Sequence, residues 1–182
     1  MDTEHGNQEL ELSIRTEKSR YTVGETVRLE ISLRNAGSKT VKTPKYFMLP
    51  ADDPNKNNLE IQVHDAAGNR LSRISHVMTG RALYYPDIFS INPGETYLDS
   101  FQLAGTFARK IGSKEIKKAL WSLGENPEIT SLNEYPIMTR GTFKVQVIYH
   151  VDKKHLISLG EAESSDVWTG QLISNIIEIF IK

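Results

Sequence analysis

The chain has no cysteine. This rules out a disulfide framework, thiolate-held zinc and catalysis by a thiol nucleophile. It leaves the compartment open, since exported bacterial domains also do without cysteine. No apolar run approaches the ~20 residues that a membrane-spanning helix needs, so no membrane span is expected. A surplus of one charge is missing too. The 182 residues hold 22 basic and 23 acidic side chains, a formal net charge of −1. A protein that grips a nucleic-acid backbone shows a clear positive excess, so nucleic acid is not an expected partner.

Catalytic signatures are equally scarce. There is no G-x-S-x-G elbow, no H-E-x-x-H pair and no glycine-rich phosphate loop. The carboxylates show no pairing suited to acid–base work. The reading is therefore of a protein that is not an enzyme and needs no cofactor.

What is present is a pattern of strands. The length suits one domain, which at this size buries roughly 70% of its unfolded surface. Residues 1–8 read as a polar tail and 9–182 as a single domain. Met1-Asp2-Thr3-Glu4 does not open a signal peptide. Two placements follow: an exported protein, in the periplasm or at the cell surface, whose leader has been removed, or a cytoplasmic one if Met1 is the native start.

Side chains alternate faces along a strand, so a half-buried strand alternates apolar and polar residues. Leu10, Leu12 and Ile14 do so, as do Val27, Leu29, Ile31 and Leu33, then Leu59, Ile61 and Val63. Tyr97, Phe101 and Leu103 form another, and Phe143 to Val151 alternates longest of all. Asn35-Ala36-Gly37, Asp65 to Asn69 and Asn92-Pro93-Gly94 read as turns. Ser75 to Pro86 looks irregular. Ile176 to Ile181 is apolar on both faces except at Glu178, which suits a strand with little exposure. The expected fold is all-β, an immunoglobulin-like antiparallel β-sandwich of about seven to nine strands. One short helix is expected within an insertion at about 105–140. There Ile116, Ala119, Leu120 and Leu123 share a helical face, Ser113 can cap the start and Gly124 can end it.

Three stretches resemble bacterial immunoglobulin-like domains. Tyr21-Thr22-Val23-Gly24-Glu25-Thr26-Val27, followed by Leu33-Arg34-Asn35, is similar to their opening strands. Val63 to Asn69, with Ile91-Asn92-Pro93-Gly94-Glu95, resembles the hairpin and turn of BsuPI-like proteinase inhibitors and of sandwich regions near deuterolysin-type proteases. Gly141 to Val145 and Tyr149, then Trp168-Thr169-Gly170-Gln171-Leu172-Ile173-Ser174-Asn175, is similar to the closing segments of secreted bacterial proteins of unassigned role. Phe143 replaces the usual tyrosine. No inhibitory loop transfers residue by residue.

Four groups are candidate sites. Trp121 falls among Lys114, Lys117 and Lys118 on the expected helix, away from its apolar stripe. An indole among lysines can stack on a sugar or take an acidic peptide. The plainer reading is a solvated face with Trp121 packed on the following loop. His150, Asp152 and His155 have zinc-ligand chemistry, but Lys153 and Lys154 between them oppose a divalent ion. Asp53, Asn55 and Asn57 have calcium-loop spacing, yet Asn58 and His64 stand where that loop needs Gly and Glu. No metal site is therefore assigned. Trp168 is expected to cover one end of the core. The resemblances, with the missing catalytic motifs, imply a non-enzymatic binding or adhesion module of the bacterial cell envelope. It would contact a protein or glycan through the segment from Gly105 to Tyr135. The alternatives are a BsuPI-like proteinase inhibitor or an accessory domain of an exported hydrolase. Sequence leaves the oligomeric state open.

Overall fold

The computed structural model describes residues 10–45, 58–72, 74–77, 88–104, 131–135, 137, 139–152 and 167–182. Among them every regular element is a strand. The expected helix at 113–124 lies outside the described residues.

The first sheet has the order β1 (Leu10–Thr16), β3 (Val27–Asn35), β8 (Thr96–Ala104). Both pairings are antiparallel. Alternation decides which face is covered: Leu10, Leu12, Ile14, Val27, Leu29, Ile31 and Leu33 are buried, and the residues between them face outward. The second sheet is centred on β10 (Gly141–Val151), with β5 (Leu59–His64) along one edge. Its other edge carries β12 (Ile177–Ile181) and then β11 (Gly170–Ile173). The short β2 (Arg20–Tyr21) joins β12 in parallel, an exception to the antiparallel rule. Phe143, Val145, Val147, Tyr149, Val151, Leu59, Ile61, Val63, Leu172 and Ile179 point inward and share one buried cluster with the first sheet. Two largely antiparallel sheets meeting over one core are consistent with a β-sandwich. Two small pairings complete the set: β4 (Val41–Pro44) with β7 (Ile88–Ile91), and β6 (Ile74–Val77) with β9 (Ser131–Glu134).

The turns that resemble known families are built by their own side chains. Thr22-Val23-Gly24-Glu25 and Asn92-Pro93-Gly94-Glu95 have the same construction. In each, the fourth residue's N–H donates to the first residue's carbonyl, at 3.0 and 2.9 Å. The glutamate carboxylate turns back to accept the first residue's N–H, at 2.9 and 2.8 Å. The glycines sit at φ 80° and 79°, as the third position of a type II turn requires. Asp65 closes its turn by accepting from the N–H groups of Ala67 and Asn69 and from the Asn69 side chain. These bonds, led by the Asn69 side chain, hold the Asp65 carboxyl below its ordinary range.

Several expectations need correcting. Asn35, read as the first residue of a turn, keeps a negative φ, as every described residue other than glycine does. It is the strand's last residue, fully buried, and works through its amide. Ser75 to Val77, the start of the stretch read as irregular, belongs to the strand Ile74–Val77. Ser131–Glu134, inside the expected insertion but beyond its expected helix, is a strand as well. These two lie too far apart in sequence for local pattern to pair them. Tyr135, expected at the edge of a recognition loop, is core. Its N–H donates to Leu103 O at 2.9 Å and its hydroxyl donates to Ile61 O.

Candidate interaction surface

The outward side chains of the second sheet follow from the alternation of β10. Thr142, Lys144, Gln146, Ile148 and His150 face away from the core. Directly paired residues present their side chains on the same face. Rows therefore form across the strands: Glu60, Ile148 and Ile173; then His64, Lys144 and Glu178; then Thr142 and Phe180.

Between the last two strands the edge changes register. Ile173 pairs with Ile148, whereas Ile177 pairs with Val145. Three residues, 174–176, thus stand opposite two, 146–147, which is a β-bulge. Ser174 and Asn175 stabilise it. Buried Ser174 accepts the Val147 N–H on its hydroxyl at 2.9 Å, and its own N–H donates to Val147 O at 2.9 Å. Asn175 behaves as a substitute strand residue for the other sheet. Its Oδ1 accepts the Ile14 N–H at 2.9 Å, and its Nδ2 donates to Ile14 O at 3.1 Å. The bulge turns Ile176 outward, into an open trough of about 280 Å³ with His64, Gly68, Lys144 and Gln146.

The result is an apolar strip on one face. Among the described residues, the exposed large apolar side chains are Ile173 at 58%, Ile176 at 58%, Leu98 at 55% and Phe180 at 39%. Three of the four lie on this face, beside half-buried Ile148. The first sheet's outer face is different. Between β1 and β3 it is closed by a ladder of cross-strand pairs. Arg34 Nη1 meets Glu11 at 3.0 Å, Ser13 and Ser32 share a bond of 2.6 Å, and Arg15 Nε meets Glu30 at 2.6 Å. Such exposed pairs add little stability individually, but they satisfy that face in water. Near the strip, Glu60 accepts from Gln62 at 2.9 Å and Arg70 at 2.6 Å. Burial pulls its carboxyl upward, and these bonds outweigh that, so it lies below its ordinary range.

The sequence-expected site residues fare unevenly. Trp121, Lys114, Lys117 and Lys118 lie outside the described residues, as do Asp53, Asn55, Asn57 and His155. His150 is half-buried on the face it shares with Lys144 and Gln146. No cluster of three metal-capable side chains forms among the described residues. Trp168 stacks on Tyr149, with centroids 5.8 Å apart and planes at 7°. It covers the end of the core, as expected. Beneath it the Tyr149 hydroxyl lies 2.6 Å from both Thr43 Oγ1 and Pro44 O. The apolar strip was missed. A strand apolar at successive positions reads the same whether both faces are covered or one is left open, and Ile176 and Phe180 prove exposed.

Tyr149 gives this end of the core a pH dependence. Burial is the main cause that pushes its ionisation above the ordinary value of 10.0. Its contribution is complete below that value. As pH rises past it, the unfolded chain sheds the phenolic proton while the folded chain keeps it, so stability falls. Tyr149→Phe should cost about 1–2 kcal/mol near neutrality, because Thr43 and Pro44 lose a partner. It should also lose less than the native chain between about pH 9 and pH 11. Urea midpoints across that range check both.

No family model and no curated protein matches the chain. Solved structures are loosely similar. The CARDB domain of the PF1109 protein from Pyrococcus furiosus, determined with di-metal ions, is 12% identical with a TM-score of 0.37, covering 94% of this chain and 91% of that one. Spo0M, a sporulation control protein from Bacillus subtilis, is 12% identical with a TM-score of 0.40, covering 95% of this chain and 49% of that one. A beta-glucosidase from Listeria innocua is 13% identical with a TM-score of 0.37, covering 95% of this chain and 16% of that one. Similarity this loose assigns no family, ligand or activity.

Proposed function

We propose that the chain is a non-enzymatic binding module of immunoglobulin-like type, working in the bacterial cell envelope. Its main contact is the outer face formed by β5, β10, β11 and β12. One observation carries this reading: Ile173, Ile176 and Phe180 all stand exposed on one face, with the Lys144–Glu178 pair between Ile176 and Phe180. Apolar groups gathered in this way mark an interaction surface more often than isolated ones do. The envelope placement rests on the likeness of Gly141–Val145 and Trp168–Asn175 to secreted proteins.

The face fits a protein better than a glycan. Sugar rings stack on flat aromatic surfaces, and three of the four apolar groups here are branched isoleucines. Trp121 with Lys114, Lys117 and Lys118 remains a proposed second contact, read from sequence.

The test is a binding isotherm with a partner captured from an envelope extract. Ile173→Lys and Phe180→Ser should each weaken binding about tenfold or more, the range of residues at the centre of an interface. Unchanged affinity in both would remove this face. Unchanged affinity in Trp121→Ala and Lys117→Ala would remove the second contact.

A further inference from the structure

We infer that the partner of this face is a second copy of the same chain, bound about a two-fold axis that runs along the strands. The inference rests on the reading that the face is a contact surface. The observation that carries it is the order of side chains across the seam between β10 and the edge formed by β11 and β12.

Two rows on this seam pair residues that complement each other when exchanged: Ile148 beside Ile173 and, two outward positions away past Gln146 and the bulge, Lys144 beside Glu178. In a face-to-face pair, an axis along the seam exchanges the two columns and keeps the rows. It sets Ile148 of each copy over Ile173 of the other, apolar on apolar. It sets Lys144 of each copy over Glu178 of the other, positive on negative. A two-fold interface demands such self-complementarity, because residue i meets j and j meets i. A row with two like charges would repel its own copy. Here Lys144 and Glu178 lie 3.8 Å apart, with side chains 59% and 49% exposed, so both remain open to a partner. Facing sheets pack ~10 Å apart, the span of two interdigitating side-chain layers. Among the described residues, the first sheet's outer face carries a single exposed large apolar side chain, Leu98, in the row of Ser13 and Ser32, and its Glu11–Arg34 and Arg15–Glu30 pairs flank those serines.

The experiment is analytical ultracentrifugation of the full chain up to about 0.5 mM, where a weak dimer is detectable. The native chain is expected to show reversible dimerisation. Lys144→Glu makes the 144–178 pair negative at both positions, and Glu178→Lys makes it positive at both. Each variant alone should raise the dimer dissociation constant about tenfold or more. Mixed in equal amounts, they should recover dimer as a heterodimer, because a negative pair then faces a positive one. Recovery on mixing is the result that an effect on folding alone would not give, and circular dichroism of each variant confirms that it is folded. A native chain that stays monomeric throughout, or a mixture no more associated than its components, overturns the inference. The contact-surface reading is judged separately. If Ile173→Lys still weakens capture of another protein while the native chain is monomeric, only self-association fails.

Discussion

Asn35→Leu should destabilise the fold by about 3–5 kcal/mol, as the loss of a buried amide that serves three backbone groups. Asn35 is fully buried at the end of β3. Its Nδ2 donates to Lys39 O at 2.7 Å and to Ile91 O at 2.8 Å. Its Oδ1 accepts the Gly37 N–H at 2.9 Å. The side chain thus closes the loop after β3 and ties it to β7. Leucine keeps the branched outline but is bulkier, so overpacking in this fully buried site adds to the loss of the bonds. Each backbone group left without a partner costs about 1–3 kcal/mol, and the losses are not additive, because water reaches the Lys39 and Gly37 bonds more easily than the Ile91 bond. Asn35→Asp separates the roles. A carboxylate can still accept from Gly37 but has no proton for the two carbonyls, so near neutrality it should be no better than leucine. It should recover part of the loss as pH falls and the acid gains a proton. Urea unfolding with an unchanged slope measures these differences. A loss below about 1 kcal/mol for the leucine variant would show that the three bonds are replaced by solvent.

Asn35 also shows what could and could not be read from sequence. Its place after Leu33-Arg34 was visible, and so was a turn beginning there. Its mechanism was not, because an asparagine that tolerates positive φ and one that bonds three backbone groups look alike on paper. The strands with clean alternation, from Leu10 to Ile14, Val27 to Leu33, Leu59 to Val63 and Phe143 to Val151, were legible because one face is covered and the other wet. The two G-E turns were legible because glycine at φ near 80° and a returning glutamate both leave a local mark. The pairing of Ile74–Val77 with Ser131–Glu134 left none, since its partners are distant in the chain. For the candidate site, the ingredients were in view but not their arrangement. Ile173, Ile176 and Phe180 come to share one face only through the register of β10 and the bulge at Ser174–Asn175. The residues favoured from sequence, Trp121 with its lysines, fall outside the described residues, so the sheet face and that patch stand as separate proposals.

Gly170→Ala should lower stability by about 2–4 kcal/mol, from backbone strain and overpacking together. Gly170 opens β11 at φ 155°, a conformation that side chains with a Cβ rarely adopt. A Cβ built there would stand 2.8 Å from Cζ2 and 3.2 Å from Cη2 of Trp168. The ring has little freedom to yield. It is stacked on Tyr149, and its backbone N–H is fixed to Lys42 O at 2.8 Å. An added methyl must therefore tilt the indole off Tyr149 or push β11 away from β10, and the near-ultraviolet circular dichroism of the stacked pair should weaken. A double-mutant cycle separates the two causes. In a Trp168→Ala background the collision is gone while the backbone strain remains, so Gly170→Ala should cost about half as much there, roughly the strain alone. Equal costs in the two backgrounds would assign the whole effect to the backbone.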